Sequence, residues 1–421
     1  MRKWITGLYA IVAVAAIVLV VLLTQPKAPE VPPTTAPTTV PTQPTDAPTV
    51  PTEPIGEVRL YQCDPALAQK WNDLALRYTA ETGIKVTILT ADGDCASSLP
   101  AYMEGDGAAS IFCLHPAQDM TQWKDACLDL SGSAIANALH QDIFALKDGE
   151  AILGVAGNIE SYGIIYNSKL LARAGYTASD IQDFASLKNA VQNITANKRS
   201  LGFSAFASPD LSDTSHGALL CLLAGLSEDD SVLRNFWDLY ISNNVRSGAA
   251  LTQTNRSDSL NDFLNGKAVF YLGGTWDYEA LSQIEDYYLG MLPVYTGEGQ
   301  GNLGLHHSCT SYWCVNAQSS ELDQAVSLDF LAWLVTAGEN TPAPVDYLEL
   351  LTPYVDTKHT GNPLGQLVLD SMEKDQNSIH WNRCDELSPE LLEQFGQALA
   401  TYTKKPNDEN WEAITSLSKA E

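Results

Sequence analysis

The segment from Asn261 to Leu281 constrains the fold most, because it changes structural type several times in quick succession. Asn265-Gly266 is a typical C-terminal stop for a helix, and Ala268 to Leu272 is an apolar run of strand length. Thr275 then follows at a position where it can cap a new helix. A helix, a buried strand and a second helix in this order predict an α/β architecture.

The end of this strand is also a candidate ligand site. Ligands of open α/β sheets collect where a strand gives way to a helix, and Gly274 and Trp276 lie at such an edge. In the alternative interpretation, Gly273-Gly274 only allows a tight turn and Trp276 belongs to the core.

Length and charge narrow the class of protein. A chain of 421 residues with 45% hydrophobic residues is too long for one ordinary core and suits two lobes. Its formal net charge of −27 argues against nucleic acid as a partner. An acidic, solvated surface that favours solubility accounts for this charge without a cationic ligand.

Residues 1–25 are predicted to be a short cytoplasmic tip followed by a transmembrane signal anchor. Arg2 and Lys3 precede an uncharged, mostly apolar run from Trp4 to Leu23, which is long enough to cross a bilayer as a helix. A cleaved signal peptide is the alternative, although its apolar region is usually shorter. No cysteine precedes Cys63, so a lipid anchor is not expected.

Residues 26–56 are predicted to be a disordered linker. The segment consists almost wholly of Pro, Thr, Val and Ala, which cannot bury a core. Such a chain is extended, at about 3.1 Å per residue in polyproline II form. We therefore expect a tether that holds the following domain away from a membrane.

From residue 57 the chain reads as an alternation of strands and helices. Val58 to Gln62 is a predicted strand, Asp64-Pro65 begins a helix, and Lys85 to Leu89 returns as the next strand. Ala109 to Leu114 is a third predicted strand. This order is typical of βαβ units in an α/β domain.

Several segments resemble one family. Gly163 to Tyr176 is similar to a motif of the extracellular solute-binding proteins of ATP-driven (ABC) importers, and Asn261 to Trp276 resembles a second motif. Cys309 to Asn316, followed by Ala325 to Leu334, resembles the strand and helix by which such chains return to their first lobe. The resemblance covers roughly residues 57–421, and the branch that binds sugars and oligosaccharides, including maltose-binding proteins, is the most similar.

This resemblance implies a type II periplasmic-binding-protein-like fold, in which two α/β lobes are joined by crossing strands and hold a ligand between them. The hinge is expected near Tyr162 to Ile165 and near Leu292 to Gly299. The implied limits are 57–162 and 300–345 for lobe 1, and 163–299 and 346–421 for lobe 2.

The resemblance also implies the residues of the cleft. Trp276 falls on the family's cleft tryptophan and Trp381 falls near another aromatic platform, although helix packing is an alternative role for Trp381. An aromatic plane suits the apolar face of a sugar. Asp64 is alternatively a helix cap and His216 a solvent-exposed histidine. The other expected ligand-binding residues are Tyr162, Glu160, Tyr61, Gln62, Asp64, His115, Asp119, Trp123, His216 and Gly274.

Cysteine and histidine placement predicts no metal centre or other cofactor. His306, His307, Cys309 and Cys314 form a cluster whose spacing matches no standard zinc pattern. Eight cysteines outside a membrane permit disulfides with 105 full pairings, and free buried thiols are an equal alternative.

No hydrolase, metalloprotease, Walker or dinucleotide motif stands in a suitable setting, so an enzyme is not expected. We expect a monomeric, membrane-tethered protein that captures a carbohydrate outside the cell and delivers it to the permease subunits of an ABC transporter. The alternatives are a receptor for a polyamine, peptide or metal and, from another class, a cell-surface hydrolase.

Overall fold

A computed structural model describes residues 56–114, 120–207, 230–285, 288–297, 303–358, 361–374, 377–380 and 389–417. The predicted membrane segment and almost all of the predicted linker lie outside these ranges. Within them, no helix combines the length and apolar character that crossing a bilayer requires.

Strands and helices alternate along most of the described chain, as the sequence predicts. The strands are β1 (Val58–Gln62), β2 (Val86–Thr90), β3 (Ile111–Leu114), β4 (Ala145–Asp148), β5 (Ala151–Asn167), β6 (Ser204–Phe206), β7 (Ala268–Gly274), β8 (Leu289–Leu292), β9 (Leu303–Val315) and β10 (Asn377–His380). The helices are α1 (Ala68–Thr82), α2 (Cys95–Tyr102), α3 (Met120–Trp123), α4 (Ala134–Asn137), α5 (Ser168–Arg173), α6 (Phe184–Leu201), α7 (Asp230–Phe236), α8 (Arg256–Leu264), α9 (Tyr278–Leu281), α10 (Glu321–Val335), α11 (Pro363–Met372), α12 (Pro389–Lys404) and α13 (Asp408–Leu417).

The predicted opening βαβ unit is confirmed. β1 pairs in parallel with β2, with Val58 opposite Val86. α1 connects them, buries Trp71 and Tyr78 on one face, and ends at Gly83, whose φ of 76° is readily adopted only by glycine.

Two long strands run through the centre of the sheet, whose order is β2-β1-β3-β9-β5-β7-β6. The first part of β5 pairs with β4 and with the end of β9, where Val155 lies opposite Trp313. The last part of β5 pairs with β7 and β8, and Tyr162 lies opposite both Gly274 of β7 and His306 of β9. β5 and β9 therefore connect a lobe 1 side, with β1 to β4, to a lobe 2 side, with β6 to β8.

Separate hydrophobic cores form on the two sides of these strands. The lobe 1 cores contain Phe112, Phe144, Trp313, Phe330 and Tyr354, and the main lobe 2 core contains Phe206, Tyr240, Phe270, Phe395 and Leu399. Division into separate cores on the two sides is the packing that a chain of this length requires.

The second long strand, β9, ends within the Cys309 to Asn316 segment that the family resemblance assigned to the return to lobe 1. The expected position near Leu292 to Gly299 begins at the end of β8, where Leu292 pairs with Ile164 on the lobe 2 side. The long strand that reaches both sides is β9. The expected hinge position came from the family resemblance and not from a pattern in this segment.

Packing also bears on the expected change of lobe at residue 345. Leu348, Leu351 and Tyr354 all contribute to lobe 1 cores. Helix α11 then contacts both sides, because Leu364 packs in a small lobe 2 cluster and Val368 packs in a lobe 1 core.

Of the cysteines that the structure describes, two form a disulfide and the others are buried thiols. Cys63 at the end of β1 bonds to Cys95 at the start of α2, with 5.3 Å between their Cα atoms. The free thiols are Cys113, Cys127, Cys309 and Cys314. Burial raises the pKa of the Cys113 thiol to about 12, so it is unreactive at neutral pH.

Candidate functional site

The candidate site lies where β5 passes the end of β7. Side chains alternate along a strand, so Glu160 and Tyr162 share one face of β5. The register places Tyr162 opposite Gly274, two residues before Trp276. The Tyr162 and Trp276 rings stack with 6.0 Å between their centroids and 29° between their planes. Trp276 remains partly exposed while Tyr162 is buried, so the indole is the accessible surface of this pair.

Both glycines before Trp276 are required by close packing. A Cβ atom on Gly274 would lie 2.4 Å from the Trp276 ring, and one on Gly273 would lie 2.6 Å from the Asp277 carboxylate. Gly274 has an extended backbone with φ −135°, so a left-handed conformation is not its reason. The pair therefore does more than permit a turn, because it lets the indole lie directly against the strand end.

The predicted cap at Thr275 is wrong. The short helix after β7 begins with Gly274 as its N-terminal cap, and the Gly274 N–H donates to the Asp277 carboxylate at 3.1 Å. The hydroxyl of Thr275 instead accepts a hydrogen bond from the Ser161 N–H at 3.2 Å. This bond fastens the end of β7 to the crossing strand β5.

Arg256 and Asp277 form an ion pair beside the indole. Nη2 of Arg256, the first residue of α8, donates to Oδ1 of Asp277 at 2.6 Å. Asp277 is buried, and its Oδ2 also accepts from the Tyr271 hydroxyl at 3.3 Å. The guanidinium carbon of Arg256 lies 5.7 Å from the Trp276 ring centre. With 40% of its side chain exposed, Arg256 presents donors next to an aromatic plane.

Glu160 completes the site with a carboxylate. Its side chain is half-buried on the crossing strand, and burial raises its pKa above the ordinary value. The positive charge of Arg256 opposes this shift and the negative charge of Asp277 adds to it. Within the described residues, no hydrogen bond or ion pair reaches the Glu160 carboxylate. The site thus combines an aromatic plane, an acceptor and a donor, which is what a polyhydroxylated ligand needs.

The sequence interpretation missed Arg256. It identified the helix before β7 by its pattern and its glycine stop, but gave no role to the helix start. Asn255 caps α8 by accepting from the Asp258 N–H at 2.9 Å. A cap followed by a basic residue is a weak signal, and only the packing of α8 against β7 brings Arg256 to Trp276.

Two of the expected lobe 1 residues are occupied by protein partners. Tyr61 is fully buried, and its hydroxyl donates to the Cys95 carbonyl at 2.8 Å. Gln62 is buried as well, donating to the Thr90 hydroxyl at 2.8 Å and accepting from the Asp64 N–H at 2.8 Å. We leave both out of the candidate site, because a ligand would have to displace these bonds.

Other expected residues have mixed placements. Asp64 acts as a helix cap, accepting from the Ala66 N–H at 2.9 Å, which was the alternative role predicted for it. Trp123 in α3 is half-buried, 6.4 Å from the Phe112 ring, on the lobe 1 side. The remaining predicted cleft residues, His115, Asp119, His216 and Trp381, lie outside the described residues.

The two adjacent histidines of β9 point to opposite faces of the sheet. His307 shares a hydrogen bond with the Ser161 hydroxyl, and its ring lies 5.6 Å from Phe144. His306 is fully buried opposite Tyr162, and burial lowers its pKa to about 4. In the described parts of the chain, no group of His, Cys, Asp and Glu side chains is arranged to hold a metal ion.

Comparison with known protein families identifies the chain. A model of the bacterial extracellular solute-binding proteins matches residues 73–348, a span that includes both long strands and Trp276. The chain belongs to this family. No curated protein sequence matches this solute-binding protein significantly.

Solved structures share its fold across almost their whole length. A family 1 extracellular solute-binding protein from Bifidobacterium longum subsp. infantis has a TM-score of 0.65 at 17% identity, with 86% of this chain and 98% of that chain covered. The apo form of RafE from Streptococcus pneumoniae also gives 0.65, at 12% identity with coverages of 86% and 97%. RafE in complex with raffinose gives 0.55, at 13% identity with coverages of 86% and 98%. The solute-binding protein therefore has the mixed α/β, two-lobed fold of these proteins.

Proposed function

We propose that this chain is the receptor of an ABC importer and that it captures a sugar or oligosaccharide in the cleft between its lobes. The observation that carries the proposal is the partly exposed Trp276 ring, which stacks on Tyr162 and lies beside Arg256, with Glu160 on the same face of β5 as Tyr162. The apolar face of a pyranose packs on an aromatic plane, while its hydroxyls need charged acceptors and donors at the edge. RafE, which shares the fold, is known in complex with raffinose.

The proposed ligand contacts come mainly from lobe 2. Trp276 is the stacking surface, Gly274 and Tyr162 support it, and Glu160 and Arg256 bind hydroxyl groups. Trp123, and from the family resemblance His115, Asp119, His216 and Trp381, are proposed for the opposite part of the cleft. No catalytic residue and no cofactor is part of the proposal.

We propose that the ligand closes the two lobes by bending at β5 and β9. These strands are the continuous connections that the structure describes between the two sides of the sheet. Closure around a ligand by a few hinge residues is a common transition in two-lobed receptors. Small-angle scattering should show a smaller radius of gyration with saturating ligand, and an unchanged radius would contradict the hinge.

Residues 1–25 are proposed to anchor the protein in the cell membrane, with the binding domain on the extracellular side and the permease subunits as partners. The uncharged run from Trp4 to Leu23 supports this proposal. Protein recovered from the native membrane should retain its N-terminal residues in mass spectrometry. A mature N-terminus near Gln25 to Glu30 would show cleavage and secretion instead.

A thermal-shift screen tests the function itself. The panel contains neutral oligosaccharides, spermidine, short peptides and divalent metal ions. A ligand at 100 times its dissociation constant adds about 2.7 kcal/mol to the free energy of unfolding. Stabilisation by an oligosaccharide, with a dissociation constant then measured by calorimetry, is the expected result. Stabilisation by spermidine, a peptide or a metal alone would favour another solute class, and turnover of glycosides would favour a hydrolase.

A further inference from the structure

The charges do not balance among the described residues of the candidate site. It holds two carboxylates, Glu160 and Asp277, and one guanidinium, Arg256. The Asp277 carboxylate already has three hydrogen-bond donors within the protein. It accepts from Arg256 at 2.6 Å, from the Tyr271 hydroxyl at 3.3 Å and from the Gly274 N–H at 3.1 Å. The Arg256 and Asp277 charges therefore largely compensate each other.

Glu160 is the carboxylate of this site that has no hydrogen bond or ion pair among the described residues. Its carboxylate is half-buried, which costs free energy unless a partner is supplied, and the raised pKa reflects this cost. Glu160 shares the face of β5 with Tyr162, whose ring stacks on Trp276, and it interacts electrostatically with Arg256 and Asp277. The carboxylate therefore lies on the side of the sheet where a ligand on the indole would sit.

We propose that the cleft prefers a saccharide that carries an amine, with the ammonium group paired to Glu160 and a sugar ring stacked on Trp276. The inference rests on the carbohydrate-binding function proposed above. An ammonium group forms a charge-assisted hydrogen bond with the carboxylate, roughly twice as strong as that of a neutral hydroxyl. The nearby indole face also attracts a cation.

The same charges disfavour acidic saccharides. A uronate placed on Trp276 would lie near two carboxylates, Glu160 and Asp277, and one guanidinium, Arg256, whose charge is largely compensated by Asp277. The formal charge of −27 on the whole chain adds a long-range repulsion for anions and an attraction for cations. Amine-bearing saccharides should bind best, neutral ones next and acidic ones least.

A matched pair of trisaccharides tests the inference. The β-1,4-linked glucosamine trimer and its N-acetylated counterpart share rings and linkage and differ in the charge at nitrogen. Calorimetric titration at about pH 6.5 should show the amine form binding about tenfold tighter, the ratio expected when a charged hydrogen bond replaces a neutral one. The ratio should fall at high salt because part of it is electrostatic.

Two variants separate Glu160 from the general negative charge of the protein. In Glu160→Gln, the ratio should fall to about one. In Glu279→Gln, which makes the same charge change on an exposed residue of α9, the tenfold ratio should remain. Thermal unfolding of both variants confirms that each is folded.

The outcomes are distinguishable. Equal affinity for the two trimers, or a preference that survives Glu160→Gln, would overturn the amine inference and leave carbohydrate binding intact. Tighter binding of trigalacturonic acid than of the acetylated trimer would also overturn it. Binding of spermidine with no measurable binding of any saccharide would reject both the inference and the proposed function.

Discussion

The ends of β1 and β7 occupy similar places in the sheet, yet they differ in what they offer a ligand. Both were predicted to face the cleft. At the end of β1, Tyr61 and Gln62 are buried and bonded to protein groups. At the end of β7, Trp276 is partly exposed beside Arg256, which is 40% exposed on its side chain. A place at a strand end thus does not by itself make a residue available.

The difference follows from the residues around each strand end. Beside Trp276, Gly273 and Gly274 have no side chains, so the indole packs directly on the backbone while the residue stays partly exposed. Beside β1, helix α2 lies over the strand, tied by the disulfide of Cys63 and Cys95. The Tyr61 ring fills the space beneath, 4.9 Å from Tyr102.

The largest expected effect comes from changing Tyr61, at the buried end of β1. Tyr61→Ala should lower the free energy of unfolding by roughly 3 to 5 kcal/mol, because it removes a fully buried aromatic ring. Urea unfolding measures this loss. Tyr61→Phe keeps the ring and loses only the hydroxyl bonds, so it should cost about 1 to 2 kcal/mol. A normal stability for Tyr61→Ala would show that the ring is not part of the core.

The disulfide is expected to have the next largest effect. It links residues 32 apart, and a loop of this size corresponds to roughly 3 to 4 kcal/mol in the chain-entropy model. Replacing Cys63 and Cys95 together by alanine should reduce stability by about 2 to 4 kcal/mol in the same urea assay. The control is wild-type protein under reducing conditions, which should fall to a similar value. Unchanged stability in both would mean that the bond does not hold α2 on β1.

The pH dependence of the free energy of unfolding tests burial close to the β7 end, because His306 of β9 lies opposite Tyr162. Burial lowers its pKa to about 4 from an ordinary value of 6.5. Below about pH 6.5 the His306 imidazole is therefore protonated in the unfolded chain, whereas in the folded chain it stays neutral down to about pH 4. The stabilisation is complete above pH 6.5, and about 2 to 3 kcal/mol of it should be lost as the pH falls through this window.

The variant His306→Phe isolates this effect. It should match wild type within about 1 kcal/mol at pH 7.5, since it replaces a neutral buried ring by another ring. Near pH 4.5 it should be more stable than wild type in urea. Parallel pH curves for the two proteins would contradict a depressed histidine pKa.

The smallest expected effect concerns the lobe 2 end. Trp276→Ala should weaken ligand binding by roughly 1 to 3 kcal/mol, because the aromatic surface under the sugar is lost. Stability of the unliganded protein should change less than in Tyr61→Ala, since Trp276 is partly exposed. Calorimetry and urea unfolding measure the two effects separately.

Trp333→Ala is the matched control for this change. Trp333 packs against Phe330 and Tyr78 and donates to Glu81 at 2.9 Å, away from the cleft residues. It should reduce stability and leave affinity unchanged. A large loss of stability with normal affinity in Trp276→Ala would assign Trp276 to the core instead.

The sequence determined the class of fold and the family, and it predicted one side of the candidate site. Glycine stops such as Gly83, apolar runs of strand length and the motif around Trp276 are local signals, and they correctly gave the opening βαβ unit and the family. Local patterns suffice here because helix ends and buried strands are specified by residues next to each other in the chain.

Tertiary structure decided which of the predicted residues are available. Whether Tyr61 is covered depends on α2, and whether Arg256 reaches Trp276 depends on how α8 packs on β7, contacts that no local pattern encodes. The position of the second crossing strand, β9, likewise follows from its pairing with β5. Burial and charge compensation depend on residues distant in sequence, so only the folded chain decides that Glu160 has no hydrogen bond or ion pair among the described residues.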